Sequence, residues 1–209
     1  MLHSQWEKLT CAVFQKYYST TPFEMLDLGC GDALPILPCL KEQPLISYTG
    51  VDLSAPALQL AKQHLGAVSG VIELHECSME AYLLNCKDSF DLIYSSYAIH
   101  HLHDDQKKHL LTQCHSLLKK EGRMIYIDIY REDLTTIDNY RSAYSTMVNN
   151  DWGILNDAEK TAITNHLNTC DFPVQFSILQ DWLRQIGFEI QGGITRDKFH
   201  MMMVLKKKV

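Results

Sequence analysis

Four residues in the first quarter of the chain, Asp27, Gly29, Gly31 and Asp52, have the types and spacing to hold a charged nucleoside. The run Met25-Leu26-Asp27-Leu28-Gly29-Cys30-Gly31-Asp32-Ala33 passes from an apolar strand through two glycines into the start of a helix. Glycines at that junction let the backbone turn sharply and let a ligand approach the main chain. A tight strand–helix turn with no ligand reads the same way. A dinucleotide fingerprint would need glycine where Leu34 stands, and no Gly-Lys-Ser/Thr follows to make a phosphate loop. Asp27 would also set negative charge beside phosphates, whereas it suits a cationic ligand group. Tyr48-Thr49-Gly50-Val51-Asp52-Leu53 brings a second carboxylate to the tip of a second strand, where it can accept both hydroxyls of a ribose. Ser54, ahead of Ala55-Pro56, is the better cap for the following helix. Two placed carboxylates and a glycine turn describe a pocket for an amino-acid nucleoside.

A second polar cluster, His100-His101-Leu102-His103-Asp104-Asp105, lies beyond a later strand. It reads three ways. His100 or His101 can act as a base or touch a reaction partner. Three histidines and two aspartates can bind a metal ion. The run can also be a helix start, with Asp104 and Asp105 favoured by the dipole and the histidines packing locally. Adjacent histidines seldom converge on one ion, so no metal ligand is assigned.

The elements that must position these residues alternate. Short β-rich segments at Glu24–Leu28, Tyr48–Asp52, Val71–His75, Phe90–Ser95 and Arg123–Tyr130 are separated by helical segments near Leu34–Glu42, Pro56–Leu65 and Asp104–Leu118. That pattern predicts a parallel sheet covered on both faces. An amphipathic helix with Trp6, Leu9, Val13 and Phe14 at helical spacing precedes them over residues 4–18. Its end carries Tyr17 and Tyr18, which read either as closing one side of a pocket or as surface packing. Residues 131–172 form a polar, largely helical stretch. Phe176–Ile186 then reads as an amphipathic helix stopped by Gly187. The last two β-rich segments, Phe188–Thr195 and Phe199–Lys206, are too close in sequence for a crossover and should pair antiparallel.

Composition sets the frame. The 209 residues, 46% hydrophobic and 21% charged, suffice for one domain spanning 1–209. No apolar run reaches membrane-spanning length. The first residues lack the basic flank and apolar stretch of a signal peptide. The net charge of −6 recruits no nucleic acid, and Lys206-Lys207-Lys208 reads as a solvated tail. Cys11, Cys30, Cys39, Cys77, Cys86, Cys114 and Cys170 show no C-x-x-C pair, which predicts buried free thiols and a cytoplasmic setting. Nothing in the sequence bears on oligomeric state.

Leu26-Asp27-Leu28-Gly29-Cys30-Gly31 with Val51-Asp52-Leu53-Ser54, Phe90-Asp91-Leu92-Ile93-Tyr94-Ser95 through Leu102, and Leu117-Leu118-Lys119-Lys120-Glu121-Gly122-Arg123 together resemble the motifs of class I S-adenosylmethionine-dependent methyltransferases. The resemblance covers residues 25–130 and the closing hairpin. It implies an α/β, Rossmann-like, seven-stranded, mostly parallel sheet in the order 3-2-1-4-5-7-6, with an antiparallel last strand, helices on both faces and a helical lid insertion over 131–174 behind an N-terminal helix within 1–22. It also implies direct in-line transfer of a methyl group from S-adenosylmethionine, leaving S-adenosylhomocysteine, to a small-molecule acceptor. Gly29, Cys30 and Gly31 would then underlie the methionine moiety, with Asp27 and the Ser95 carbonyl near its ammonium. Asp52 would hold the ribose, and Leu53, Cys77, Ser78 and Met79 would border the adenine. The histidines His100 and His101, with His166 and Arg131 from the insertion, would face the acceptor. Trp152 and Phe172 read either as part of that lid or as anchors of the insertion on the core. Three positions depart from the family pattern: Ala33 replaces a third glycine at a helix start that tolerates it, Cys77 stands where many relatives have aspartate, and Glu121 interrupts a Pro-Gly-Gly turn. The same scaffold also suits an aminopropyl transferase or a non-catalytic binding protein.

Overall fold

The computed structural model describes the backbone of residues 2–208 and the side chains of residues 5–208; Met1 and Val209, the outer bounds of the expected domain, lie outside the described residues. The chain runs α1 (Leu2–Tyr17), β1 (Phe23–Leu28), α2 (Leu37–Leu40), β2 (Leu45–Asp52), α3 (Ala55–His64), β3 (Val71–Glu76), α4 (Met79–Asn85), β4 (Phe90–Ser96), α5 (Asp104–Leu117), β5 (Leu118–Ile129), α6 (Ile137–Asp151), α7 (Asp157–Cys170), α8 (Phe176–Ile186), β6 (Phe188–Arg196) and β7 (His200–Lys207). One seven-stranded sheet results, ordered β3-β2-β1-β4-β5-β7-β6. The pairs from β3 to β5 are parallel, and β7 runs antiparallel to both β5 and β6. This is the architecture expected from the sequence.

Strand alternation sorts the core into two layers. Leu26, Leu28, Ile93, Met124 and Tyr126 face α5 and α8, packing on Leu110, Leu111, Leu179 and Leu183. Met25, Leu92, Tyr94, Ile125 and Ile127 face the opposite side, against Trp6 and Phe14 of α1 and Leu58 and Ala61 of α3. The period of two thus buries every central strand on both faces. A smaller cluster of Tyr140, Tyr144, Val148 and Leu167 seats α6 and α7 on Ile129 and Phe199.

Several local features differ from the sequence-based expectation. The helix after β1 shrinks from residues 34–42 to the single turn of α2, because Pro35 and Pro38 each lack an N–H donor. Ala33 does not open a helix; it adopts φ +56°, so the missing third glycine is met by a left-handed alanine. β5 begins at Leu118, and the Glu121-Gly122 turn is an irregularity within it, where the register to β4 shifts between Phe90 and Leu92. The expectation of seven free thiols is also corrected. Cys11 of α1 and Cys39 of α2 form a disulfide, although their 28-residue separation follows no recognisable pattern. With it the redox argument for a cytoplasmic setting loses its premise. Among the described residues no helix is long and apolar enough to cross a membrane.

Candidate active site

The C-terminal ends of β1, β2 and β4 converge, and the first cluster is assembled there. Gly29 and Cys30 both donate backbone N–H groups to the Val51 carbonyl, folding the β1 tip across β2. The two glycines do different work. Both have positive φ, +73° and +53°. A Cβ on Gly29 would stand 2.3 Å from the Ala98 Cβ, so this position is bare because the loop after β4 packs directly on it. A Cβ on Gly31 would meet nothing within 4 Å, so its backbone faces open space. Asp52 organises that open face: Oδ2 accepts the Gly31 N–H at 2.8 Å and Oδ1 accepts the Ser54 N–H at 2.8 Å. Each carboxylate oxygen has a second lone pair, leaving capacity for two more donors. Leu53 beside it is 74% exposed, an apolar surface at the strand tip awaiting cover. Cys77 donates its backbone N–H to the Asp52 carbonyl, and Ser78 caps α4 by accepting from the Ala81 N–H, which brings Met79 toward Gly29.

Asp27 and Ser95 lie deeper. Both are buried, with the Ser95 hydroxyl donating to the Leu28 carbonyl and the Tyr48 hydroxyl donating to Asp27 Oδ2 at 2.7 Å. Burial pushes the Asp27 carboxyl up to about 7 despite that hydrogen bond, and the nearby Asp52 charge adds to the rise.

The second cluster gathers residues from β4, β5 and the insertion. His100 and His101 occupy a one-turn 3-10 helix, Ile99–His101, beyond β4. Asp128, in β5, is fully buried and accepts from the His100 backbone N–H at 3.0 Å, the Ile129 N–H at 2.9 Å and the His100 ring Nδ1–H at 2.5 Å. This turns His100 Nε2 toward Asp171, at the end of α7. Three ring nitrogens surround Asp171 Oδ1: His100 Nε2 at 3.4 Å, His101 Nδ1 at 3.3 Å and His166 Nε2 at 3.4 Å. That oxygen is buried and accepts no hydrogen bond among the described residues. His101 Nδ1 also lies 3.2 Å from the Cys170 carbonyl. Burial opposes the His100 imidazolium, but Asp128 and Asp171 outweigh it and raise the ring to about 9. Burial likewise opposes the Asp171 carboxylate, while His100 and His101 hold it well below the usual carboxylate range. The buried Lys107 ammonium clamps the two loops by donating to the Leu102 carbonyl at 2.6 Å and to the Phe172 carbonyl.

The fold therefore brings His100, His101 and His166 around one carboxylate oxygen. Arg131 has another place. Its guanidinium donates to the Thr135 and Pro173 carbonyls, and its backbone pairs with Val174 and Phe176, tying both ends of the inserted segment. Phe172 packs tilted against His103, ring centroids 4.1 Å apart, and Trp152 meets Tyr144 edge-on. Tyr17 and Tyr18 close no pocket at this end: Tyr17 lies under the Arg123 guanidinium, and Tyr18 donates to the Asp91 carbonyl near the start of β4. The beginning of α1 is the part that borders the site, where Trp6 and Glu7 with Asp32, Pro35 and Ser96 line a cavity of about 380 Å³. A larger groove of about 590 Å³ runs between α3 and β3, from Ala55 and Glu76 beside the first cluster to Leu65 and Gly66. Sequence reasoning missed Asp128 and the role of Asp171. A lone aspartate inside the apolar run Tyr126-Ile127-Asp128-Ile129 was the available signal for the first, since a buried charge needs a partner.

Residues 25–122 match the family model described as a methyltransferase domain. The match covers just under half of the chain. An uncharacterized methyltransferase of Anoxybacillus flavithermus is 33% identical over 99 residues, covering 47% of this chain and 41% of that one. The chain thus spans well under two thirds of that relative's length. Among solved structures, a magnesium protoporphyrin IX methyltransferase from Synechocystis PCC 6803 with bound SAH superposes with a TM-score of 0.67 at 14% identity, covering 99% of this chain and 84% of that one. The Burkholderia thailandensis 1,6-didemethyltoxoflavin-N1-methyltransferase, with bound 1,6-didemethyltoxoflavin and S-adenosylhomocysteine, gives 0.65 at 17% identity over 97% and 78% of the two chains. At such identities the likeness to the solved structures concerns the fold.

Proposed function

We propose that this methyltransferase domain, spanning 1–209 with residues 131–174 as a lid, binds S-adenosylmethionine and transfers its methyl group in line to a small-molecule acceptor. The observation that carries the reading is the Asp52 carboxylate, anchored by Gly31 and Ser54 yet with two acceptor sites left, beside the exposed Leu53. A vicinal diol fits those acceptor sites and a flat base covers that leucine. The cofactor supplies a methyl group on a cationic sulfur, so the protein need only orient the partners and exclude water. The open Gly31 backbone receives the methionine moiety, with Gly29 and Cys30 holding the turn beneath it. Cys77, Ser78 and Met79 border the adenine, and the Ser95 carbonyl with Asp27 sets the negative potential that an ammonium requires. Acceptors approach from the side of His100, His101 and His166, under α6 and α7, and Arg131 holds that lid closed at its base. A small acceptor is supported by the seating of the insertion across this end of the sheet and by the net charge of −6.

The test is calorimetric titration with S-adenosylmethionine and S-adenosylhomocysteine. Micromolar binding is expected, weakened about ten-fold by Asp52→Asn, or about 1.4 kcal/mol. Well-folded protein that binds neither ligand would overturn the reading.

A further inference from the structure

We propose that His100, His101 and Asp171, completed by His166, form a binding site for a divalent transition-metal ion, zinc foremost. Three observations carry the assignment, and none depends on the methyl-transfer reading.

The first is spacing. Ligands bound tetrahedrally at about 2.0–2.1 Å stand about 3.3–3.4 Å from one another. The three separations that meet at Asp171 Oδ1 are 3.4, 3.3 and 3.4 Å. Donor atoms of His100, His101 and Asp171 also lie mutually within 4.8 Å, a gap that one ion closes by small side-chain rotations.

The second is the state of the carboxylate. Asp171 Oδ1 is buried, and none of the surrounding ring N–H groups reaches it in hydrogen-bonding geometry. Three imidazoles at ion-pair distance from one oxygen would normally rotate until at least one N–H points at it. Convergence on a common centre without a hydrogen bond to Asp171 Oδ1 is an arrangement that a shared ion would satisfy.

The third is the outer support. A metal-bound histidine commonly donates its other ring N–H to a carboxylate, which fixes the tautomer and strengthens the ligand. Asp128 does this for His100: it accepts Nδ1–H at 2.5 Å and also the backbone N–H of the same residue, so Nε2 is the ring atom turned inward. Asp128 itself accepts from three donors, and Lys107 clamps the carbonyls of Leu102 and Phe172 on either side of the cluster. Histidine nitrogen with one carboxylate suits zinc and other divalent first-row ions better than the hard alkaline-earth ions. His101 and His166 are exposed, so the ion has an entry path from solvent, whereas His100 and Asp171 form the buried floor.

The experiment is titration of the metal-stripped protein with zinc against a chromophoric chelator, and with cobalt(II) read by visible absorption. One equivalent of tightly bound zinc is expected, together with a cobalt spectrum of four-coordinate nitrogen and oxygen ligation. Asp171→Asn and His100→Ala should weaken zinc at least a hundred-fold. His101→Ala, which removes an exposed ring and spares the core, should weaken it at least ten-fold, while His109→Ala on the exposed side of α5 should leave it within two-fold. S-adenosylmethionine titration of each variant reports whether the fold persists, so failure of the metal site and failure of cofactor binding are distinguished. Wild-type protein that binds no zinc or cobalt overturns the proposal. So does a cobalt spectrum with thiolate charge-transfer bands, or equal weakening by His101→Ala and His109→Ala.

Discussion

The two ends of the candidate site are built in opposite ways. At the tips of β1 and β2 the key groups are glycines and a carboxylate held by backbone: Gly31 and Ser54 position Asp52, and Val51 positions Gly29 and Cys30. The histidine cluster is held by side chains from distant parts of the chain, with Asp128 and Asp171 reaching His100 from β5 and from the end of α7. A backbone-built pocket needs little beyond a short motif and its neighbouring strand. A side-chain-built cluster needs the whole tertiary fold, and it can change its chemistry through single substitutions.

The sharpest way to break the first half of that contrast is Gly29→Ala. The new methyl would stand 2.3 Å from Ala98 Cβ on a backbone at φ +73°. Overpacking and left-handed strain together should cost about 3 kcal/mol of stability in a urea melt. A near-neutral result would mean that the loop after β4 does not pack on the glycine turn.

The next effect separates the two clusters. Asp128→Asn removes the charged partner of His100 and should weaken zinc about a hundred-fold, or about 2.7 kcal/mol, while S-adenosylmethionine affinity stays within about two-fold. Parallel loss of both affinities would show that the clusters are not independently built.

A third measurement uses pH. The Asp27 carboxyl, raised by burial to about 7 in the folded state, has an unfolded value near ~3.9. Between those values the folded protein retains a proton that the unfolded chain has lost. The contribution of Asp27 to stability is therefore fully favourable below the lower value, declines as pH rises, and levels off above about 7. From pH 5 to pH 7 the wild type should lose about 2 kcal/mol relative to Asp27→Asn. Parallel pH curves for the two proteins would mean that Asp27 is ionised throughout.

The smallest effect is Gly31→Ala. Open space around the position leaves only the strain of φ +53°, about 1 kcal/mol. Comparison with Gly29→Ala then isolates packing from backbone conformation.

Much of this molecule was legible because its determinants are local. Alternation of short apolar strands with amphipathic helices predicts the parallel sheet, since each central strand must be apolar on both faces. The three-residue link before β7 predicts its antiparallel pairing. Local reading failed where distant residues intervene or a neighbour overrides propensity. Prolines shortened α2, an alanine took a glycine-like conformation, and Cys11 met Cys39 across two helices.

The sequence by itself therefore determined the parallel central sheet, the antiparallel closing pair and the glycine–carboxylate turn, because strand periodicity and turn chemistry act over a few residues. Tertiary structure alone decided that Gly29 serves packing while Gly31 faces open space, and that Asp128 orients His100. It alone also brought His166 and Asp171 to the two histidines beyond β4. Those contacts arise from the closure of a chain whose partners are tens of residues apart, and no short-range pattern encodes such closure.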